Sequence, residues 1–140
     1  KFMAFIRYKG KTKTAWLPVT TSTVMTKGDI VSYSSGLLIR ATSSSTSTPT
    51  TIASDTTIAS TDADYATARS VPVLVPLEKN VIWLADVTAT LATTDVGGEF
   101  DLTDAATVNR GASTVDAVIC TGFVSTTKGY FTVNFNAGKQ

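Results

Sequence analysis

Two groups of carboxylates are the residues whose type and spacing come nearest to a reaction chemistry. Asp62 and Asp64 stand two apart, so in an extended chain both face one way, as a catalytic pair of glycosidase acids must. Asp95, Glu99, Asp101 and Asp104 surround Gly97-Gly98, and a Gly bend that gathers side-chain oxygens is the raw material of a calcium loop. The ordered ligand spacing of an EF-hand is missing, however, and the simpler use of such acids is to cap their own turns. The chain contains no His, which removes the commonest general base, zinc ligand and orienting member of a hydrolase triad. Neither standard Gly-rich phosphate loop occurs. The single Cys120 lies in the apolar run Ala117-Val118-Ile119-Cys120 and reads as a small core hydrophobe. These observations point to a protein that is not an enzyme and uses no cofactor or metal.

Recognition chemistry is better represented. Residues 1 to 28 hold Lys1, Arg7, Lys9, Lys11, Lys13 and Lys27 and no acid, whereas residues 29 to 140 set six basic groups against eleven acids, so a net charge of +1 divides into +6 and −5. Bulky groups are interleaved with the basic ones. The expected partner-binding residues are therefore Phe2, Phe5, Ile6, Arg7, Tyr8, Lys9, Lys11, Lys13 and Trp16, which together suit an acidic protein surface. Nucleic acid is not expected, because the basic groups are few and the remaining body would repel a phosphate backbone.

The elements that must position these residues are strands. Apolar residues make up 43% of the 140 and charged ones only 16%, so the surface is made polar by Ser and Thr, which supply more than a quarter of the chain. Thr favours a pleated, half-buried strand over a helix. An all-β fold is expected, a small antiparallel barrel or sandwich, with an extended N-terminal arm over 1–14 and one domain over 15–140. Lys9 to Lys13 reads as a solvated connector, and Ser and Thr residues at 42–51 as a polar loop.

Turn residues at Thr26-Lys27-Gly28-Asp29 and Ser34-Ser35-Gly36 frame a hairpin of Ile30 to Tyr33 with Leu37 to Arg40. Ser70 to Leu77 carries Pro72 and Pro76 and reads as an edge strand. Val81 to Val87, apolar on both faces, reads as central. Val115 to Val124 and Tyr130 to Phe135 form a second hairpin, with Phe131, Val133 and Phe135 on one face and Thr132, Asn134 and Asn136 on the other. Apolar runs are too short and interrupted for a membrane span, and one Cys gives no disulfide framework, so a soluble protein made inside the cell is expected.

Two sets of segments carry a resemblance. They are Lys27-Gly28-Asp29-Ile30-Val31 followed by a Gly turn, and Asp95-Val96-Gly97 leading to Phe100-Asp101-Leu102-Thr103-Asp104, Thr107-Val108-Asn109 and Phe123-Val124-Ser125-Thr126-Thr127-Lys128. Together they resemble the capsid decoration, or cement, proteins of tailed bacteriophages, over about half the chain. The resemblance implies a barrel or sandwich body, often a homotrimer, seated on the outer capsid surface of the virion across capsomer junctions. It implies the major capsid protein and further copies of the chain as partners, with no membrane and no catalytic residues. An extended terminal arm that reaches a neighbour is the role it implies for residues 1 to 13. The alternative is a receptor- or glycan-binding module of a phage tail or fibre, stacking sugar rings on Trp16, Tyr33, Tyr65 or Trp83.

Overall fold

The computed structural model describes residues 5–34, 36–42, 53–54, 57–63, 65–77, 81–114 and 116–133. Among them the chain forms strands β1 (Ile6–Lys9), β2 (Thr12–Val19), β3 (Val31–Ser34), β4 (Leu37–Arg40), β5 (Ala53–Ser54), β6 (Arg69–Pro76), β7 (Ile82–Thr88), β8 (Glu99–Asp104), β9 (Thr107–Asn109), β10 (Val118–Ser125) and β11 (Lys128–Val133). The one helical piece among the described residues is the 3-10 turn Thr93–Asp95, and no described helix is long and apolar enough to cross a membrane.

Strands β7, β11, β10, β8 and β9 follow one another in a sheet that closes when β9 returns to β7, and β1 is added as an extra strand. The result is a five-stranded barrel, so the all-β expectation holds and the barrel is the form it takes. β7 is central, as its double-faced apolar pattern predicts. One edge of it pairs with β11 from Trp83 to Asp86. The other edge is shared end to end, with β1 opposite Ile82 to Leu84 and β9 parallel to Asp86 to Thr88. Trp83, Ala85 and Val87 point inward and are buried, while Ile82, Leu84 and Asp86 are half-buried on the outside. Phe131, Phe100, Leu102, Val108, Val118 and Cys120 join them in the barrel core. Fully burying an aliphatic or phenyl side chain of this size contributes about 1.5–3 kcal/mol.

The remaining strands make a second sheet in the order β3-β4-β2-β6-β5. It covers a separate core of Val19, Met25, Val31, Leu38, Ile58, Val71 and Val73. The hairpin of β3 and β4 forms where the Gly36 turn predicts it. β6 is not the edge strand its prolines suggest. It pairs with β2 along all of Thr12 to Val19, and β5 flanks it on the other side. The prolines are tolerated because β5 meets β6 only at Val73 and Leu74, leaving Pro72 and Pro76 outside that short pairing.

The two cores are divided by side-chain alternation at single positions. Ile30 packs in the barrel core and the next residue, Val31, in the second core; Leu74 packs against the barrel core and its neighbour Val73 in the second. A backbone bond from Ile30 N–H to Ala105 C=O at 2.7 Å ties the sheet to the barrel, and one from Ala41 N–H to Ile30 C=O at 3.0 Å extends the β3–β4 pairing by a residue.

Residues 6–9 and 12–19 run antiparallel to 82–84 and 69–76. They form a two-stranded ribbon that leaves one sheet and enters the other. The expected solvated connector from Lys9 to Lys13 is thus a bend in this ribbon, and β2 already begins at Thr12. Leu77 N–H donates to Lys11 C=O at 2.9 Å and keeps the two chains together through the bend. Gly10 makes the bend possible, with φ +105° and a missing Cβ that would lie 2.8 Å from Val81 Cα. The polar loop expected at 42–51 falls, apart from Thr42, outside the described residues.

Gly36 also has a positive φ, +82°, but nothing lies within 4 Å of an added Cβ. Gly36→Ala is expected to cost only the left-handed backbone penalty of about 1 kcal/mol. Gly10→Ala must also displace the Val81 backbone and is expected to cost about 3 kcal/mol or more. Urea unfolding midpoints for the two variants check this, and equal losses would show that the contact with Val81 is not limiting.

Candidate docking face

The expected partner-binding residues fall mostly on the ribbon. Ile6, Tyr8 and Trp16 are exposed at 45%, 57% and 68%, and Arg7, Lys9, Lys11 and Lys13 are exposed as well. Phe5 departs from the expectation. It is only 4% exposed and belongs to the barrel core, and its N–H donates to Gly28 C=O at 3.0 Å. Burying its ring fixes the start of β1 on the body, so Phe5 holds the face in place and does not present itself to a partner. Phe2 lies outside the described residues.

Register shows how β1 aims its side chains. Ile6 stands opposite Leu84, and Leu84 stands opposite Tyr130 on its other side, so the three form a row across the outer face of the barrel. Tyr130 in turn pairs with Gly122, where an added Cβ would come within 2.9 Å of the Tyr130 ring. The pairing of β1 with β7 shifts between Arg7 and Lys9. Such a bulge re-aims a side chain. Here Tyr8 reaches across β7 to Tyr130, the ring centroids 4.2 Å apart and the planes inclined by 30°. Hydrogen bonding to the Tyr8 hydroxyl is the main reason the Tyr130 phenol is pushed above its ordinary pKa.

Charge around this face is uneven. Arg7 Nη1 donates to Gly10 C=O at 2.9 Å, which keeps the guanidinium beside the bend. Lys128 Nζ lies 2.6 Å from Asp86 Oδ1, so that pair is neutral. The positive field therefore comes from β1 and β2. Tyr130 and Leu84 were not singled out in the sequence, although Tyr130 is in phase with the outward Thr132.

The carboxylates considered for chemistry are occupied in local structure. Asp62 accepts from Ala59 N–H at 3.0 Å and Asp104 from Ala106 N–H at 2.9 Å. Asp101 is nearly buried, and its two oxygens accept from Thr114 N–H at 3.0 Å and Asp116 N–H at 2.7 Å. Asp95 accepts from Ala92 N–H at 2.8 Å and from Arg110 Nε at 3.0 Å. The Arg110 hydrogen bond, followed by that from Ala92, holds the Asp95 carboxyl below the usual range. These acids cap turns. Among the described residues no three His, Cys, Asp or Glu side chains are grouped to hold a metal ion. Asp64 lies outside the described residues.

Asp29 is the carboxylate the sequence undervalues. It is fully buried, and its Oδ2 accepts from Thr26 N–H at 2.8 Å and Arg40 Nε at 2.7 Å. The pair pins the Lys27-Gly28-Asp29 turn to β4. A cavity of about 320 Å³ nearby is lined by Arg40, Ala41, Thr42, Thr103, Asp104 and Ala105. Its two charged side chains are those already engaged with Asp29 and Ala106.

Of the aromatic residues considered for sugar stacking, Trp83 is buried in the barrel and Tyr65 is half-buried, with its hydroxyl donating to Ser22 C=O at 2.8 Å. Trp16 stays exposed, opposite Pro72. No family model matches the chain, and no curated protein or solved structure is significantly similar to it.

Arg40→Leu would leave the buried Asp29 carboxylate without a counter-charge. Its expected cost is about 3 kcal/mol, the low end for a broken buried pair because Arg40 itself is partly exposed; a loss below about 1 kcal/mol in urea unfolding would remove the ion pair from the account. Asp95 has the opposite pH signature to a buried neutral group. Its folded pKa is depressed, so its contribution is present above the unfolded carboxylate pKa and disappears as pH falls through the folded value. Asp95→Asn should therefore be less stable than wild type at neutral pH, by a small margin because its partner Arg110 is exposed. Thermal melts should converge under strongly acidic conditions.

Proposed function

We propose that this protein is a structural component of a particle surface, a decoration protein that binds the outside of a tailed-phage capsid and stabilises it by bridging capsomers. The observation that carries this reading is the exposed basic and aromatic ribbon of β1 and β2, with Arg7, Lys9, Lys11 and Lys13 beside Tyr8 and Trp16. Exposed rings interleaved with one sign of charge suit a protein surface of the opposite sign. Asp29, Asp62, Asp86, Asp95, Asp101 and Asp104 are engaged as turn caps and salt-bridge partners, in keeping with an adhesive surface. Many copies on a symmetric shell would convert modest contacts into avidity. Partners in this reading are the major capsid protein and further copies of the chain in a trimer.

Deleting residues 1 to 13 would confound the test, because Phe5 and β1 belong to the barrel. Lys9→Glu/Lys11→Glu/Lys13→Glu alters exposed positions only. Wild type should cosediment with empty tailed-phage capsid shells and raise their melting temperature, and the triple variant should lose at least about ten-fold in affinity. Wild type that stays in the supernatant across a panel of shells, or a triple variant that binds as well, would refute the reading.

The second reading, a glycan-binding module, retains one specific observation, the exposure of Trp16. It expects hits on a glycan array that vanish in Trp16→Ala. An array without hits disposes of it.

A further inference from the structure

The outer face of the barrel carries an aromatic platform that extends the docking face beyond the ribbon. Its floor is the row Ile6, Leu84 and Tyr130, and the bulge after Arg7 lays Tyr8 against Tyr130. Two hydroxyl-tipped rings over an aliphatic floor offer both apolar area and hydrogen-bond donors, a combination enriched in protein interfaces. Gly122 keeps the platform low, because a side chain there would push the Tyr130 ring away.

The sign of the occupant follows from the rim. Lys9, which the bulge sets opposite the outward Ile82, is exposed beside Tyr8, while Lys128, on the Tyr130 strand, is neutralised by Asp86. The charge left at the rim is that of Lys9, and it is positive. A nucleic acid would match that sign, but successive bases want successive open rings, and here the two rings spend a face on each other and the rest of the platform is aliphatic. Aliphatic Ile6 and Leu84 favour aliphatic side chains. We propose that the Tyr8–Tyr130 platform, with Ile6, Leu84 and Lys9, binds an extended acidic segment of a partner protein in which carboxylates alternate with aliphatic residues. The aliphatic side chains cover the floor, and the carboxylates meet the phenol hydroxyls and the Lys9 ammonium. This rests on the proposed adhesive function and adds to it a second contact, on β7 and β11, and the chemistry of the partner.

The test uses the full chain, isotope-labelled for amide NMR, and three probes: a short peptide alternating Asp with Ile and Val, the same peptide with Asn for Asp, and an oligothymidylate. The acidic peptide should shift amides in 6–9, 82–86 and 128–132, with the effect reduced by added salt. Tyr8→Ala and, as a variant that leaves the rings in place, Lys9→Glu should each weaken it about ten-fold with melting temperatures near wild type. The proposal is overturned if the acidic peptide leaves these strands unshifted, if the Asn peptide binds as well, or if the oligothymidylate binds more tightly. Shell binding separates this proposal from the reading beneath it. Tyr8→Ala that binds shells like wild type sinks the platform and spares the decoration reading, whereas a chain that binds the acidic peptide but no shell keeps the platform and sinks that reading.

Discussion

The bend of the β1–β2 ribbon at Gly10 is the constraint on which the rest of the structure depends. A strand pair that stayed straight would belong to one sheet. Because Gly10 takes φ +105° and lies against Val81, the same two chain segments serve as the added strand of the barrel and as the centre of the second sheet. β2 pairs with β6 over its full length, and β1 and β9 divide one edge of β7 between them. Remove the bend, and either β1 leaves the barrel or β2 leaves its sheet. Most of the long-range pairing in the N-terminal half would then be lost.

Close approach at this joint also explains why two small cores suffice. Neither core is large, yet Ile30 and Val31 face opposite ways into both, as do Leu74 and its neighbour Val73. The wall between them is one strand thick and is shared, so apolar area is covered on both faces of the same backbone. Asp29 sits at this wall, and its pairing with Arg40 satisfies one oxygen while Oδ1 finds no partner among the described residues. Trp83 Nε1 is likewise buried without a partner there. An unmet donor of this kind costs about 1–3 kcal/mol. The indole remains favourable because its large apolar surface is removed from water at the centre of the barrel.

Local pattern made much of the fold legible. The alternation in β7, the Gly36 turn and the Lys128-Gly129 end of the last hairpin each have a short-range cause, and each element appears close to where its residues place it. The exposure of the ribbon was legible in kind, because bulky residues between lysines are visible in any extended segment. What escaped was whatever depends on a partner strand far along the chain. Phe5 looks like Ile6 and Tyr8 in the sequence, and only the pairing of β1 with β7 decides that it points inward while they point outward. Pro72 and Pro76 suggest an edge, but the length of β5 sets whether they can be accommodated. Tyr130 becomes part of a surface only when the β1 bulge brings Tyr8 to it.

This distinction changes the energetics of any association through the face. An apolar arm free in solution would lose backbone and side-chain freedom on binding, at roughly 1–2 kcal/mol per residue for the backbone alone. From Phe5 to Val19 that ordering has already occurred in folding, driven by the Phe5 ring and by pairing with β6 and β7. A partner bound there would meet rings and cations already ordered, and less of the interaction would be spent on ordering. The same coupling limits how the face can vary. Lys9 and Lys13 can change with little effect on the fold, but Gly10 and Phe5 cannot, so the charge of the surface is free to follow a partner while its position is fixed by the barrel.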